Sequence, residues 1–127
     1  IIENLTDIGF LMVHKKFKDM KSRYTKNDRV LICDSMPSIE FWFLIHYVNT
    51  SRYFKDSNAV INVLKRYNQG YEKTGSFLEK LSWVADLCSD NHLKEACSRA
   101  ALLAPGDESY SEIYRAIDLF DNTVVKE

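Results

Sequence analysis

The fold is decided by residues 34–47, which read DSMPSIEFWFLIHY. A turn containing Ser and Pro leads here into residues 39–48, which are apolar at nearly every position, as is typical of a central buried helix. The preceding residues 29–33 are apolar and partly β-branched, which predicts a buried strand ending at Asp34. Ligands of open α/β folds bind at the carboxyl ends of strands, so this turn is a candidate site.

The sequence on both sides of this stretch has a helical pattern. Apolar residues recur at helical spacing over residues 6–24, and further amphipathic segments begin near Ser57, Ser76, Asp90 and Ser109, with capping-box patterns at Ser76 and Ser109. About six helices and one strand predict a helix-rich α/β fold with a small β component. A single strand cannot pair its own backbone groups, so we expect its partner to be Ile1-Ile2, another stretch of this sequence, or a segment upstream of it.

Length and composition exclude several classes of protein. The 127 residues suit a single domain, and a 13% aromatic content argues against disorder. The longest apolar run, residues 39–48, is shorter than the roughly 18–20 residues that cross a bilayer. The three cysteines lack a C-x-x-C spacing, and we expect them to be buried thiols of a reducing compartment. We therefore expect a cytoplasmic protein with no membrane partner.

Charge is unevenly distributed along the chain. Residues 14–29 carry seven Lys or Arg against two Asp, whereas the rest of the chain carries ten basic and sixteen acidic residues. Clustered cations supply salt-dependent affinity for nucleic acid, so one interpretation is a phosphate-binding face. Its candidate residues are Lys15, Lys16, Lys18, Lys21 and Arg23. The alternative interpretation is a solvated helix face.

Four polar residues within 34–47 are candidates for chemistry: Asp34, Ser35, Glu40 and His46. A carboxylate in an apolar helix is costly unless it is paired or binds a metal, so Glu40 either pairs with a Lys or Arg or belongs to a metal or catalytic site. His46 is either a core histidine bonded to a backbone carbonyl or a catalytic group. Asp34 and Ser35 either cap and shape the turn or form part of a site at the strand end.

The same stretch resembles a known family. The S-N-P-x-F-E-x-W-x-L-L-H-F signature of RloB-like proteins is similar to Ser35-x-Pro37-Ser38-x-Glu40-x-Trp42-x-Leu44-x-His46-Tyr47. Downstream, Tyr71-Glu72-Lys73 resembles the family's Y-x-K element, and residues 96–101 and 109–117 resemble its late Ala-rich helix and closing segment. The sequence departs from the signature at Met36 and at Ser38-Ile39.

The resemblance implies a bacterial phage-defence protein, linked to restriction and abortive-infection loci, with a Toprim-like nuclease fold. Toprim-type sites hold Mg²⁺ with a glutamate and a D-x-D pair, because clustered carboxylates bind hard cations. Neither acidic motif occurs in this sequence, so we expect residues 1–127 to be the C-terminal part of a longer RloB-like protein. Mg²⁺ and nucleic acid are then the expected cofactor and partner of the intact protein, and whether it forms a homodimer is left open.

In that intact nuclease, Glu40 would support the metal or water site, while Asp34 and Ser35 would shape the adjoining turn. The basic residues of 14–29 would approach phosphates. Cleavage is accordingly expected of the intact protein and not of this chain alone. The alternative, from a different class, is a non-catalytic helical module that binds a protein partner or nucleic acid. A glutamate and a D-x-D upstream of residue 1 would favour the enzyme.

Overall fold

The computed structural model describes residues 5–103 and 108–125, which fall into two compact units. The first unit ends at Ile32 and contains one helix, α1 (Leu5–Thr25). The helix predicted over residues 6–24 is therefore confirmed. Lys15, Lys16, Lys18 and Arg23 are exposed on α1, and Lys21 is half-buried.

The second unit begins at Cys33 and contains six helices and two short strands among its described residues. In chain order these elements are β1 (Ser35–Met36), α2 (Ile39–Leu44), α3 (Ser57–Leu64), α4 (Gly75–Leu78), α5 (Ser82–Cys88), α6 (His92–Ala101), β2 (Tyr110–Ser111) and α7 (Ile113–Val125). The predicted class, helix-rich α/β with a small β component, is confirmed.

The predicted strand over residues 29–33 is wrong. The strand is β1, a few residues later, and it pairs antiparallel with β2 so that Ser35 lies opposite Ser111. Residues 30–34 adopt neither helix nor strand, because a strand forms only where another segment can satisfy its backbone groups, and the ladder seen among the described residues is confined to β1 and β2. The strand that does form pairs with a later stretch of the same sequence, whereas Ile1-Ile2 lies outside the described residues.

The core of the second unit surrounds α2, as its apolar sequence predicts. Phe41 and Leu44 are fully buried, and Trp42 is 6% exposed. The helix packs most extensively against α3, and Val60 of α3 and Ala96 of α6 belong to the same hydrophobic cluster. Burial of an aromatic side chain contributes about 1.5–3 kcal/mol relative to its exposure, so α2 supplies much of the stabilisation of this unit.

Helix starts differ from the predicted ones by one or two residues. Asp56, not Ser57, caps α3, and Thr74, not Ser76, caps α4. The helix predicted behind Ser76 is divided into α4 and α5. Ser109 is not a helix cap, because its hydroxyl donates a hydrogen bond to a backbone carbonyl in the loop after α2. Neighbouring Asp, Ser and Thr side chains compete for the cap, and spacing alone does not decide between them.

The described helices include none that is both long and apolar enough to cross a membrane. Of the three cysteines, Cys33 and Cys97 are half-buried and Cys88 is exposed. The expectation that all three are buried is thus wrong for Cys88. This residue ends α5, where one side of the short helix faces solvent.

Candidate functional site

Glu40 lies in the first turn of α2 with no exposed surface. It follows Ser38, whose extended backbone (φ −161°, ψ 173°) directs the chain into the helix. The next two side chains, Phe41 and Trp42, enter the core, so Glu40 begins a helix that is otherwise packed against apolar residues. An ionised carboxylate in this position requires hydrogen-bond donors and a cation.

Three side chains supply what Glu40 requires. Lys73 places its Nζ 3.1 Å from Oε1, and the Tyr71 hydroxyl donates to the same oxygen at 3.4 Å. The Ser57 hydroxyl, at the start of α3, donates to Oε2 at 3.2 Å. These four residues are called the Glu40 cluster below. Of the two interpretations of Glu40, pairing with a lysine is the one observed.

The two side chains of the Glu40–Lys73 ion pair differ sharply in solvent exposure. The Glu40 side chain is 0% exposed and that of Lys73 is 56% exposed. An ammonium group has three donors, and the carboxylate engages one side of it. The pair therefore joins a fully buried carboxylate to a lysine whose side chain lies largely at the protein surface.

The ionisation of the cluster follows from these contacts. Burial by itself raises the pKa of Glu40, but the nearby polar groups of Ser38 and of the Glu40 backbone, together with Lys73, outweigh it and lower the pKa from its usual 4.5. Burial and the neighbouring Glu40 charge raise the pKa of Tyr71 to about 12. At neutral pH, Glu40 is thus an anion and Tyr71 a protonated donor, so the cluster acts as an ion pair.

His46 lies just after α2 and is 1% exposed. Its Nδ1 is 2.8 Å from the Trp42 carbonyl oxygen, and because a carbonyl can only accept, Nδ1 carries the proton. Burial lowers the pKa of His46, with smaller contributions in the same direction from His92 and Arg99. His46 is therefore a neutral core histidine in this structure. Of its two interpretations, the observed contact is the hydrogen bond to a backbone carbonyl.

Asp34 and Ser35 hold the two strands together. The Tyr110 hydroxyl donates to Asp34 Oδ2 at 2.5 Å, and the hydroxyls of Ser35 and Ser111 are 2.8 Å apart. The Glu112 backbone N–H donates to the Asp34 carbonyl at 2.8 Å. These contacts connect residues about 76 positions apart, so both side chains join distant segments. The predicted site residues form three groups with different partners in the contacts observed: Asp34 with Ser35, His46, and the Glu40 cluster.

The described residues do not by themselves fit Mg²⁺. They include no group of three or more His, Cys, Asp or Glu side chains arranged to hold a metal ion. Mg²⁺ prefers several oxygen ligands, whereas both Glu40 oxygens here accept hydrogen bonds and one of them also faces an ammonium. A metal role for Glu40 remains a prediction about the intact protein.

Lys73, Tyr71 and Ser57 are absent from the predicted site residues. For Tyr71 and Lys73 a signal existed, since Tyr71-Glu72-Lys73 carries the resemblance to the family's Y-x-K element. The structure brings this element onto Glu40, which belongs to the other family-like pattern 31 residues earlier. Ser57 carried no signal beyond that of a helix cap.

The RloB-like protein family model matches residues 9–120. Because this match covers most of the sequence, the chain belongs to the RloB-like protein family. No curated protein and no solved structure matches the chain.

Proposed function

We propose that this chain is the nucleic-acid-binding part of an RloB-like phage-defence protein of the bacterial cytoplasm, whose intact form is a Mg²⁺-dependent nuclease with a Toprim-like fold. Within it, Lys73 contacts a phosphate of the nucleic acid, and Glu40 holds its ammonium in place. The observation that carries the proposal is the 3.1 Å pair between buried Glu40 and exposed Lys73.

A buried carboxylate is an unusual way to hold a surface lysine. Ordinary surface ion pairs contribute about 0–1 kcal/mol and leave both side chains mobile. Here the carboxylate is fixed by Ser57 and Tyr71, so the lysine has a defined anchor. Such an anchor is useful where a cation must bind a ligand anion at a defined position, because a preorganised side chain reduces the entropic cost of binding.

The ion pair is electrically neutral as a whole, so it positions a phosphate more than it attracts one. Attraction is assigned in this proposal to the exposed cations of α1, which are Lys15, Lys16, Lys18 and Arg23, with half-buried Lys21. Charges of this kind supply affinity for nucleic acid that falls steeply with salt. In this proposal the α1 cations determine most of the salt dependence of binding, and Lys73 contributes a single phosphate contact.

The nuclease part of the proposal rests on family membership and on the resemblance of residues 34–47 to the family signature. Asp34, Ser35 and His46 then act through the fold, Asp34 and Ser35 by joining β1 to β2 and His46 by closing the end of α2. The carboxylates that hold Mg²⁺ would be others of the intact protein, while Glu40 holds Lys73 beside them. Clustered carboxylates with Mg²⁺ would activate water and neutralise phosphate charge.

The proposal is tested by the salt dependence of nucleic-acid binding. In the full-length protein with EDTA present, Lys73→Ala should weaken binding to single-stranded RNA or DNA and reduce the slope of log K against log salt by roughly 0.7–0.9, the amount expected for one lost phosphate contact. Lys80→Ala is the matched control, because Lys80 is an exposed lysine of the neighbouring segment. Equal slopes for wild type, Lys73→Ala and Lys80→Ala would contradict the proposed contact.

A second candidate function is a non-catalytic module that binds nucleic acid. The engagement of both Glu40 oxygens by protein donors favours it, since this arrangement needs no metal to stabilise the buried charge. The two functions share the Lys73 contact and differ in cleavage. Metal-dependent cleavage by the full-length protein would favour the nuclease.

A further inference from the structure

A cavity of about 320 Å³ lies between the end of α3 and α5. Its lining includes Tyr67, Asn68 and Gln69 after α3, Phe77 of α4, and Trp83 and Asp86 of α5. The volume falls within the range of roughly 300–1,000 Å³ that is common for small-molecule sites. The cavity lining combines aromatic rings with polar side chains, so it offers both a stacking surface and hydrogen-bonding groups.

The hydrogen-bond donors on one side of this cavity are already used by the protein. Asn68, only 3% exposed, donates through Nδ2 to the Tyr47 hydroxyl at 2.8 Å and to the Trp83 carbonyl at 3.1 Å. The Tyr47 hydroxyl in turn donates to Asp86 Oδ2 at 2.9 Å. An amide nitrogen has two hydrogens and a phenol one, so within this hydrogen-bonded group the Asn68 side-chain oxygen and the Asp86 carboxylate remain for a ligand. Both are acceptors, while Gln69 and Ser82 add polar groups elsewhere in the lining.

Aromatic rings form the apolar part of the cavity lining. Phe77 and Trp83 have ring centroids 5.9 Å apart, and Tyr67, 43% exposed, stacks on Tyr47 at 5.6 Å. An exposed aromatic face of this kind can stack against a planar ligand ring. A ligand that suits both features is a flat ring that carries N–H donors on its edge.

The cavity adjoins the Glu40 cluster through one residue. The Tyr71 ring lies edge-on to Phe77 at 5.4 Å and to Trp83 at 5.7 Å, while its hydroxyl donates to Glu40. Two of the rings that line the cavity therefore pack against the side chain that helps to hold the Glu40–Lys73 pair. One ligand that carries both a ring with N–H donors and a phosphate would satisfy the cavity and Lys73 together.

We propose that this cavity binds one unstacked nucleobase of the nucleic acid, a base with an exocyclic amino group that donates to Asp86 and Asn68 and stacks on Tyr67. Single-stranded nucleic acid is recognised in this manner, by aromatic stacking and by hydrogen bonds to the base edge. This inference rests on the proposed function, since it extends the Lys73 phosphate contact to the neighbouring base.

A carboxylate beside aromatic rings also suits an arginine or lysine side chain of a protein partner. The nucleobase is favoured because Tyr71 packs against two rings of the cavity and also contacts Glu40, the partner of Lys73. A basic peptide that extended from the cavity towards Lys73 would be repelled by its positive charge. A basic peptide is therefore an outcome of the test and not the occupant proposed.

The test compares two fluorescent hexamers with identical phosphates, one of adenosine nucleotides and one abasic, binding to the full-length protein in EDTA. Stacking of one base contributes about 1–3 kcal/mol, so the adenosine hexamer should bind roughly 5- to 150-fold more tightly. Asp86→Asn leaves a weaker, uncharged acceptor and Tyr67→Leu removes the stacking ring, so each should reduce this preference without weakening the abasic hexamer. Lys73→Ala should weaken both hexamers by the same factor.

Matched controls separate a local effect from a folding defect. Asp118→Asn makes the same change as Asp86→Asn on an exposed carboxylate of α7 and should leave the preference intact. Gln69→Ala removes an exposed side chain of the cavity lining and should reduce the preference, so the result does not depend on whether Tyr67→Leu folds.

Three results would overturn the inference. Equal affinity for the two hexamers, with Lys73-dependent binding of both, would leave the proposed function intact and exclude a base in the cavity. A preference for adenosine that survives both Asp86→Asn and Gln69→Ala would place the base elsewhere. A basic peptide that binds through Asp86 while the hexamers show no preference would assign the cavity to a protein partner.

Discussion

Lys73→Met should destabilise the protein through the carboxylate that it leaves buried. The substitution keeps most of the apolar stem and removes the only cation seen within salt-bridge distance of Glu40 in the described part of the chain. Removing one member of a fully buried pair typically costs about 3–5 kcal/mol, whereas exposed pairs contribute about 0–1 kcal/mol. Because the Lys73 side chain is 56% exposed, solvent screens the interaction. Ser57 and Tyr71 also continue to donate, so we expect an intermediate loss of about 1–3 kcal/mol.

The loss should depend on pH in a direction set by Glu40. Its pKa in the folded protein is lowered from 4.5, because the hydrogen-bond donors and Lys73 outweigh the effect of burial. The pairing therefore stabilises the fold above the unfolded pKa, and this stabilisation is lost as the pH falls through the lowered folded value. Wild type and Lys73→Met should differ at pH 7 and converge as the solution is acidified below 4.5.

Urea unfolding at a series of pH values measures this difference, with Lys80→Met as the matched control. Lys80 is exposed, and its replacement should change the free energy of unfolding by less than about 0.5 kcal/mol at every pH. Lys73→Arg should recover most of the stability. If Lys73→Met and Lys80→Met were equally stable at pH 7, or if their difference did not vary with pH, the account of the Glu40 cluster would be refuted.

Three further outcomes are expected. Burial lowers the pKa of His46 below 6.5, so the unfolded chain binds a proton that the folded protein does not, and wild type should lose stability as the pH falls from about 6.5 towards the folded value. His46→Gln, measured in the same urea series, should flatten this dependence; an unchanged slope would contradict it. Trp42→Ala should cost about 3–5 kcal/mol, because the side chain is 6% exposed in the α2 core, and a melting temperature near wild type would be incompatible with that burial. The 127-residue chain alone should not cleave RNA or DNA with Mg²⁺ or Mn²⁺, and EDTA-sensitive cleavage by it would show that its site is complete.

The parts of the fold that follow from local sequence could be predicted, and the parts that depend on distant pairing could not. The largely apolar run of residues 39–48 predicts a buried helix, and α2 forms over its first six residues, although Ile39 itself is 47% exposed. The strand could not be placed, since its position is set by β2, about 75 residues later in the chain. Apolar composition at residues 29–33 indicated burial but supplied no partner.

The candidate site divides in the same way. A carboxylate within an apolar helix predicts that Glu40 needs a partner, and the chemistry of that partner follows from the cost of burying a charge. Which lysine provides it depends on how the segment after α3 returns to α2, and the 17 Lys and Arg of the sequence offer no local signal that singles out Lys73. Only the resemblance of Tyr71-Glu72-Lys73 to a family element pointed to this segment.

The most direct test of the central claim is Mg²⁺-dependent cleavage of nucleic acid by the full-length protein with Glu40→Gln. Glutamine keeps the shape of the side chain and one acceptor oxygen but loses the charge that holds Lys73. The account predicts cleavage by wild type and a large loss of cleavage in Glu40→Gln that remains folded, with unchanged cleavage in the control Glu79→Gln, an exposed glutamate at the end of α4. Absence of cleavage by the wild-type protein, or full cleavage by a folded Glu40→Gln, would contradict it.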